Sequence, residues 1–152
     1  MLMAHSYTKC LFHCIFSTKG RGQLIAQDIQ DRLWAYIGGI ARTNGYTALA
    51  VGGTLDHAHV LLSLPPTLPV AKAVQLIKAG SSKWLHETFP ELRGFAWQEG
   101  YGAFSIGVSQ LEDTVRYISQ QVEHHRTRSF EEEYAAFLKK NGIEYDERYV
   151  FG

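Results

Sequence analysis

No stretch of this 152-residue chain approaches the roughly 20 consecutive apolar residues that a membrane-spanning helix needs, and its first residues lack a hydrophobic segment ending in a small-residue cleavage site. A soluble, cytoplasmic protein is the expectation. Internal repeats, low-complexity stretches and long Gly/Ser linkers are also missing, which excludes solenoid and linker-joined architectures. Cysteine is scarce: Cys10 and Cys14 are the two in the chain. They fall in an alternating segment that reads as a strand, where a rise of about 3.3 Å per residue puts them roughly 13 Å apart, too far for a disulfide or a joint zinc clamp. They read as small buried hydrophobes on one face with Phe12 and Phe16.

Net charge is lacking too, with 15 basic against 15 acidic residues, which by itself argues against a strongly electrostatic nucleic-acid binder. The distribution is less even. Residues 1–90 hold eight Lys/Arg against four Asp/Glu and residues 91–152 hold seven against eleven, so an anionic ligand is better placed against the first half.

Apolar residues are plentiful, at 45%, and the length suits one domain over 1–152 with a sizeable core. Residues 9–17 read as a strand. Ile29, Leu33, Ile37, Ile40 and Ala41 recur at helical spacing up to the Asn44-Gly45 stop signal. Residues 46–51 and 54–64 are β-rich, separated by Gly52-Gly53, a pair suited to a tight hairpin turn. After Pro65-Pro66, a helical register runs from Val70 to about Phe89, and residues 103–108 read as a fourth strand. Ser109 and Glu112 form a capping-box pattern ahead of an apolar stripe of Leu111, Val115, Ile118 and Val122. A second such pattern, Ser129 with Glu132, opens a short charged helix. The order predicts an α+β fold: a ferredoxin-like β-α-β-β-α-β antiparallel sheet followed by two C-terminal helices, with the first and third strands paired at its centre.

The third strand, TLDHAHVLLSL, sends Ala58, Val60, Leu62 and Leu64 to one face and His57, His59 and Leu61 to the other. The two histidine Cα atoms lie about 6.6 Å apart, close enough for both rings to reach one metal ion. Two hydrogen-bonded histidines on a sheet face would give the same pattern. On the third helix, Tyr117, Gln121, His124 and Arg128 cluster away from the apolar stripe, and the i, i+4 relation sets the Gln121 amide beside the Tyr117 hydroxyl. An exposed tyrosine lying over a polar surface is the bland alternative. Tyr101, in Gly100-Tyr101-Gly102, is the nearest competitor for a chemical role.

Asp56-His57-Ala58-His59, then WQEGYGAFSIG from Trp97, then YISQQVEHHRTRSFEEE from Tyr117, with Lys19 and Arg21 after the first strand and DERYVF near the end, resemble the single-tyrosine HUH transposases of small bacterial insertion sequences. The resemblance spans nearly the whole chain. It implies DNA transposition by cleavage and rejoining of single-stranded DNA through a 5′-phosphotyrosine. Tyr117 would be the nucleophile, and a divalent metal, Mg2+ or Mn2+, would be held by His57, His59 and Gln121. Between Gln120 and Gln121 the resemblance leaves a choice, which helical spacing from Tyr117 tips to Gln121. A homodimer and hairpin-containing element ends are implied as well. Lys19, Arg21, Lys78, Ser82 and Lys83 stand as candidate DNA contacts on basic, hydroxyl-bearing elements.

A tyrosine hydroxyl titrates near pH 10 and needs activation to act as a nucleophile at neutral pH. Hard phosphate and amide oxygens favour Mg2+ or Mn2+ over zinc. RNA-recognition domains share the element order, but their third strand is aromatic-rich, unlike DHAHVLLS. A histidine-triad hydrolase would place a third alternating histidine where Leu61 stands. A non-catalytic DNA-binding relative would keep the fold and differ in activity alone.

Overall fold

The computed structural model of the chain describes residues 6–151. Strands β1 (Cys10–Ser17), β2 (Thr47–Gly53), β3 (His57–Leu64) and β4 (Gly102–Ile106) form one antiparallel sheet in the order β2-β3-β1-β4. This is the expected ferredoxin-like arrangement, with β1 and β3 at the centre. Helices α1 (Gln27–Thr43) and α2 (Val70–Thr88) close one face. Their stripes of Ile29, Leu33, Ile37 and Val74, Ile77, Leu85 pack on Cys14, Phe16, Ala58, Val60 and Leu62. Cys10, Phe12, Cys14 and Phe16 share this face, as their alternation predicts, and both thiols are free. Burial pushes the Cys14 thiol up to about 12. Among the described residues, no helix is long and apolar enough to cross a membrane.

The second face is covered by α3 (Leu111–Ser119), the short α4 (Gln121–His124) and α5 (Phe130–Lys140). Phe130, Tyr134 and Leu138 of α5 pack on Ile15 and Phe104, with Phe137, Tyr145, Val150 and Phe151 around them. The Ser129 capping box is present: Glu132 N–H donates to Ser129 Oγ and Ser129 N–H to Glu132 Oε1, each at 3.2 Å.

Three local expectations change. Gly52-Gly53 ends β2, and the turn is Thr54-Leu55-Asp56, closed by Thr54 N–H donating to the His57 carbonyl at 3.1 Å. The pair answers a different need, close approach. A Cβ on Gly52 would lie 2.5 Å from the Ile118 carbonyl oxygen, and one on Gly53 would lie 2.1 Å from that of His57. Second, Ser109 makes no cap: a 3₁₀ turn at Val108–Gln110 precedes α3, and the Gln110 side chain accepts from Gly107 N–H at 2.9 Å. Third, the third helix is broken at Gln120 (φ −109°, ψ 26°). The apolar stripe therefore stops at Ile118, which is buried, and Val122 is turned to solvent at 59% exposure.

Candidate functional site

The break at Gln120 decides which glutamine enters the site. Gln120 is exposed, whereas Gln121 is 1% exposed and turned toward β3. Its Nε2 donates to the Tyr117 carbonyl at 3.3 Å, so its oxygen is left facing His57 Nε2, 3.0 Å away. His57 and His59 stand on the same face of β3, both 0% exposed, with ring centroids 5.2 Å apart. The strand's period of two placed them there, as expected.

Each imidazole is held from behind. His57 Nδ1–H donates to Asp56 Oδ1 at 2.7 Å, and Thr54 Oγ1–H donates to the same oxygen at 3.1 Å. Burial works against the Asp56 carboxylate, but the hydrogen bond from His57 wins and holds it below the usual range. His59 Nδ1 lies 2.8 Å from Nε2 of His13, the β1 residue alongside. Burial first, and then the neighbouring His59, lowers His13 to about 3; burial likewise lowers His59 to about 4, against the pull of Glu133. Both Nε2 atoms of the pair are left pointing inward. Such outer-atom anchoring is what fixes metal-binding imidazoles.

Tyr117 lies over this cluster, half-buried, with its ring 5.8 Å from that of His59 and stacked on His124 at 4.4 Å. Its hydroxyl donates to Glu133 Oε2. Burial first, and then Glu133, pushes the hydroxyl above its ordinary range, so the free protein holds it protonated. Glu133 is 0% exposed, and its other oxygen lies 3.0 Å from His59 Nε2 and 3.1 Å from His125 Nε2. Burial opposes ionisation of this carboxyl; the hydrogen bonds from His125, His59 and Tyr117 outweigh it and hold the group well below the carboxylate range. Within this chain, the tyrosine helix thus packs over the chain's own histidines. Tyr101 packs on the opposite, α1/α2 face of the sheet, away from the cluster.

The arrangement fits a divalent ion. With Nδ1–H donating to Asp56, His57 turns Nε2 toward the Gln121 oxygen 3.0 Å away, and a nitrogen and an oxygen so placed can both be ligand atoms. A cation between them would be held by both. Two openings flank the cluster without reaching His57, His59, Gln121 or Glu133, one of about 460 Å³ bordered by Asp56, His125 and Arg128, the other of about 280 Å³ bordered by His13, Tyr117 and Lys140.

The five candidate DNA contacts do not gather here. Lys78, Ser82 and Lys83 ride on α2, on the other face of the sheet. The Lys78 ammonium donates to the carbonyls of Gln98, Glu99 and Gly100, and Lys83 sits 4.0 Å from Glu87. Ser82 Oγ lies 3.5 Å from His86 Nε2. Lys19 is exposed in the 3₁₀ turn after β1, while Arg21 in the same turn donates to the Phe151 carbonyl at 3.3 Å. His13, His125 and Glu133 were not singled out from sequence. The signal for His13 was its place opposite Leu61 in the β1/β3 register, readable only once that pairing is known. Glu133 was hidden in Glu131-Glu132-Glu133, an acidic first turn of the kind that ordinarily serves a helix dipole.

The description "Transposase IS200 like" belongs to the family model that matches residues 6–121 of this chain. The chain is 25% identical over 115 residues to the ISDra2 transposase TnpA of Deinococcus radiodurans, covering 72% of this chain and 82% of that protein. It is 26% identical over 132 residues to the transposase for insertion sequence element IS200 of Salmonella typhimurium, covering 82% and 84% respectively. Among solved structures, a candidate transposase of Deinococcus radiodurans R1 superposes with a TM-score of 0.66 at 25% identity, over 80% of this chain and 97% of that one. A REP-associated tyrosine transposase bound to a REP hairpin shares the fold, with a TM-score of 0.58 at 19% identity, over 82% and 74%. With the match running from before β1 to the glutamine at the histidine cluster, this chain belongs to the IS200-like transposase family and is a transposase.

Proposed function

We propose that the protein cuts and rejoins single-stranded DNA with Tyr117 as nucleophile and a divalent ion, Mg2+ or Mn2+, held by His57, His59 and Gln121. The observation that carries this reading is the convergence, in one buried cluster, of the Tyr117 hydroxyl, two inward-facing imidazole nitrogens and the Gln121 oxygen. When bound, the ion supplies electrophilic polarisation of the scissile phosphodiester and stabilises charge on the leaving 3′-oxygen. The chain's residues do the rest. His57 and His59 are locked in orientation by Asp56 and His13, and Glu133 holds the Tyr117 oxygen in place. The tyrosine oxygen forms a bond to phosphorus as the bond to the 3′-oxygen breaks; the phenol proton is lost and the 3′-oxygen gains one. One phosphodiester is exchanged for another, so the reverse reaction joins a strand without ATP.

The family resemblance further supports a homodimer acting on hairpin-containing element ends in the cytoplasm, with residues 1–152 working as one transposase domain. Lys19 and Arg21 remain the proposed DNA contacts nearest the site. Lys78, Ser82 and Lys83 would serve DNA that wraps onto the helical face. Incubation with labelled single-stranded flanking DNA and Mg2+ or Mn2+ should give a nicked product and a denaturant-resistant protein–DNA adduct. Tyr117→Phe, which removes only the hydroxyl, should abolish both while keeping fold and DNA affinity. An adduct that persists in Tyr117→Phe would place the nucleophile elsewhere.

A further inference from the structure

The family match ends at Gln121. Twelve residues on, α5 delivers a carboxylate into the same cluster. Of the three consecutive glutamates in its first turn, Glu131 is exposed beside Arg21, Glu132 closes the Ser129 capping box, and Glu133 alone is buried. Glu133 Oε1 stands among three imidazole nitrogens, 3.0 Å from His59 Nε2, 3.1 Å from His125 Nε2 and 3.6 Å from His57 Nε2.

We infer that Glu133 is a fourth ligand, and the one anionic ligand, of the divalent ion at His57, His59 and Gln121, so that the ion ties α5 to the central strands. This rests on the metal reading above. Three observations carry it. Donor atoms around an ion at about 2.1 Å lie about 3.0 to 3.4 Å from their neighbours, depending on geometry. Two spacings here fall in that range, 3.0 Å from His57 Nε2 to Gln121 Oε1 and 3.0 Å from His59 Nε2 to Glu133 Oε1, and a third, 3.6 Å from His57 Nε2 to Glu133 Oε1, lies just above it. His57, His125 and Glu133 offer ligand atoms that all lie within 4.8 Å of one another. Finally, Glu133 is a fully buried carboxylate whose ion-pair partners, among the described residues, are histidines alone, with no lysine or arginine. A buried anion without a fixed cation is costly, and a divalent ion beside it removes that cost.

The second oxygen then has its own role. Glu133 Oε2 accepts from the Tyr117 hydroxyl, so one carboxylate bridges the nucleophile and the ion and sets the distance between them. His125, at the exposed end of α4, is a positioning residue that orients Oε1.

Calorimetric titration of the full chain with MnCl2 tests this without reference to activity. Wild type should bind Mn2+, and His59→Ala should lose it. Glu133→Gln, nearly isosteric, should bind roughly tenfold or more weakly while its metal-free melting temperature stays close to wild type. Glu133→Asp is the second variant should the amide not fold. Tyr117→Phe removes the other contact of the carboxylate and should keep wild-type affinity, which separates ligation from general disturbance of the cluster. Mn2+ should slow amide exchange in α5 of wild type and leave that of Glu133→Gln unchanged. If His59→Ala loses Mn2+ and Glu133→Gln binds it like wild type, the ion reading stands and the role of Glu133 falls. If wild type itself binds no Mn2+, the metal reading falls and takes this one with it.

Discussion

His13 shows how one side chain tunes a site from its edge. It sits on β1 beside β3, and its Nε2 lies 2.8 Å from His59 Nδ1, leaving His59 Nε2 to point inward. Burial lowers His13 to about 3 and His59 to about 4, from an unperturbed 6.5. Both groups are therefore neutral in the folded chain while the unfolded chain takes up protons below pH 6.5. With folded values depressed, the stability each contributes is present above pH 6.5 and is lost as pH falls through the folded value. The slope is about 1.4 kcal/mol per pH unit for each fully depressed group, an order-of-magnitude figure. Urea unfolding in chelator-containing buffer should show the midpoint falling steeply from pH 7 to pH 4. His13→Phe, which fills the space without binding a proton, should flatten that fall. An equally steep profile in His13→Phe would mean that the acid sensitivity originates elsewhere, with His59 the next candidate, since the carboxyls of Asp56 and Glu133, both held below their ordinary range, lose their contribution only at lower pH.

At the scale of elements, the site depends on how closely α3 approaches β2. Gly52 makes this possible: its missing Cβ leaves room for the Ile118 carbonyl, and Ile118 adjoins Tyr117. Gly52→Ala should destabilise the fold by about 1–3 kcal/mol, as overpacking does, and should impair adduct formation more than fold stability alone explains, because α3 must shift and take Tyr117 with it. Thermal melting alongside the adduct assay checks both; a variant with unchanged melting and activity would show that the helix yields without cost. The same contact explains what sequence conveyed and what it hid. Alternation in DHAHVLLS was enough to put His57 and His59 on one face, because strand period alone decides that. The four strands and first two helices were legible for the same reason, since each reads through its own periodicity. The Gly-Gly pair misled because a glycine needed for close approach looks identical to one needed for a turn. The break at Gln120 left no mark in the apolar stripe, so Val122 was assigned inward when the kink had turned it out and Gln121 in. Glu133 and His125 depend on the docking of α5, a tertiary event that no local pattern encodes.

At the scale of the whole molecule, burial poses a problem for the chemistry. His57, His59, Gln121 and Glu133 are closed off beneath α3, α4 and α5, and a DNA phosphate needs a path to them. The apolar contacts of α5 with Ile15 and Phe104 hold that cover down, and the C-terminal segment reinforces it. Arg21, in the turn after β1, reaches across: its guanidinium lies over the Phe151 ring at 5.3 Å, donates to the Phe151 carbonyl at 3.3 Å and sits 3.9 Å from Glu131. Gln98 Nε2 donates to the same carbonyl at 3.5 Å. The Arg21 side chain is committed to Phe151 and Glu131, so its removal should loosen the cover before it weakens DNA binding. Arg21→Ala should speed amide exchange across α5 in the free protein, with exchange in β1 and β3 unchanged. A residue that contacts a DNA phosphate behaves differently: its loss leaves free-protein exchange untouched, weakens binding uniformly and makes the dependence of log affinity on log salt shallower by about one unit. Exchange measured without DNA, and binding measured across a salt series, therefore separate a latch from a phosphate contact; unchanged exchange together with a shallower salt slope would assign Arg21 to the DNA backbone and leave the opening of α5 to the DNA itself.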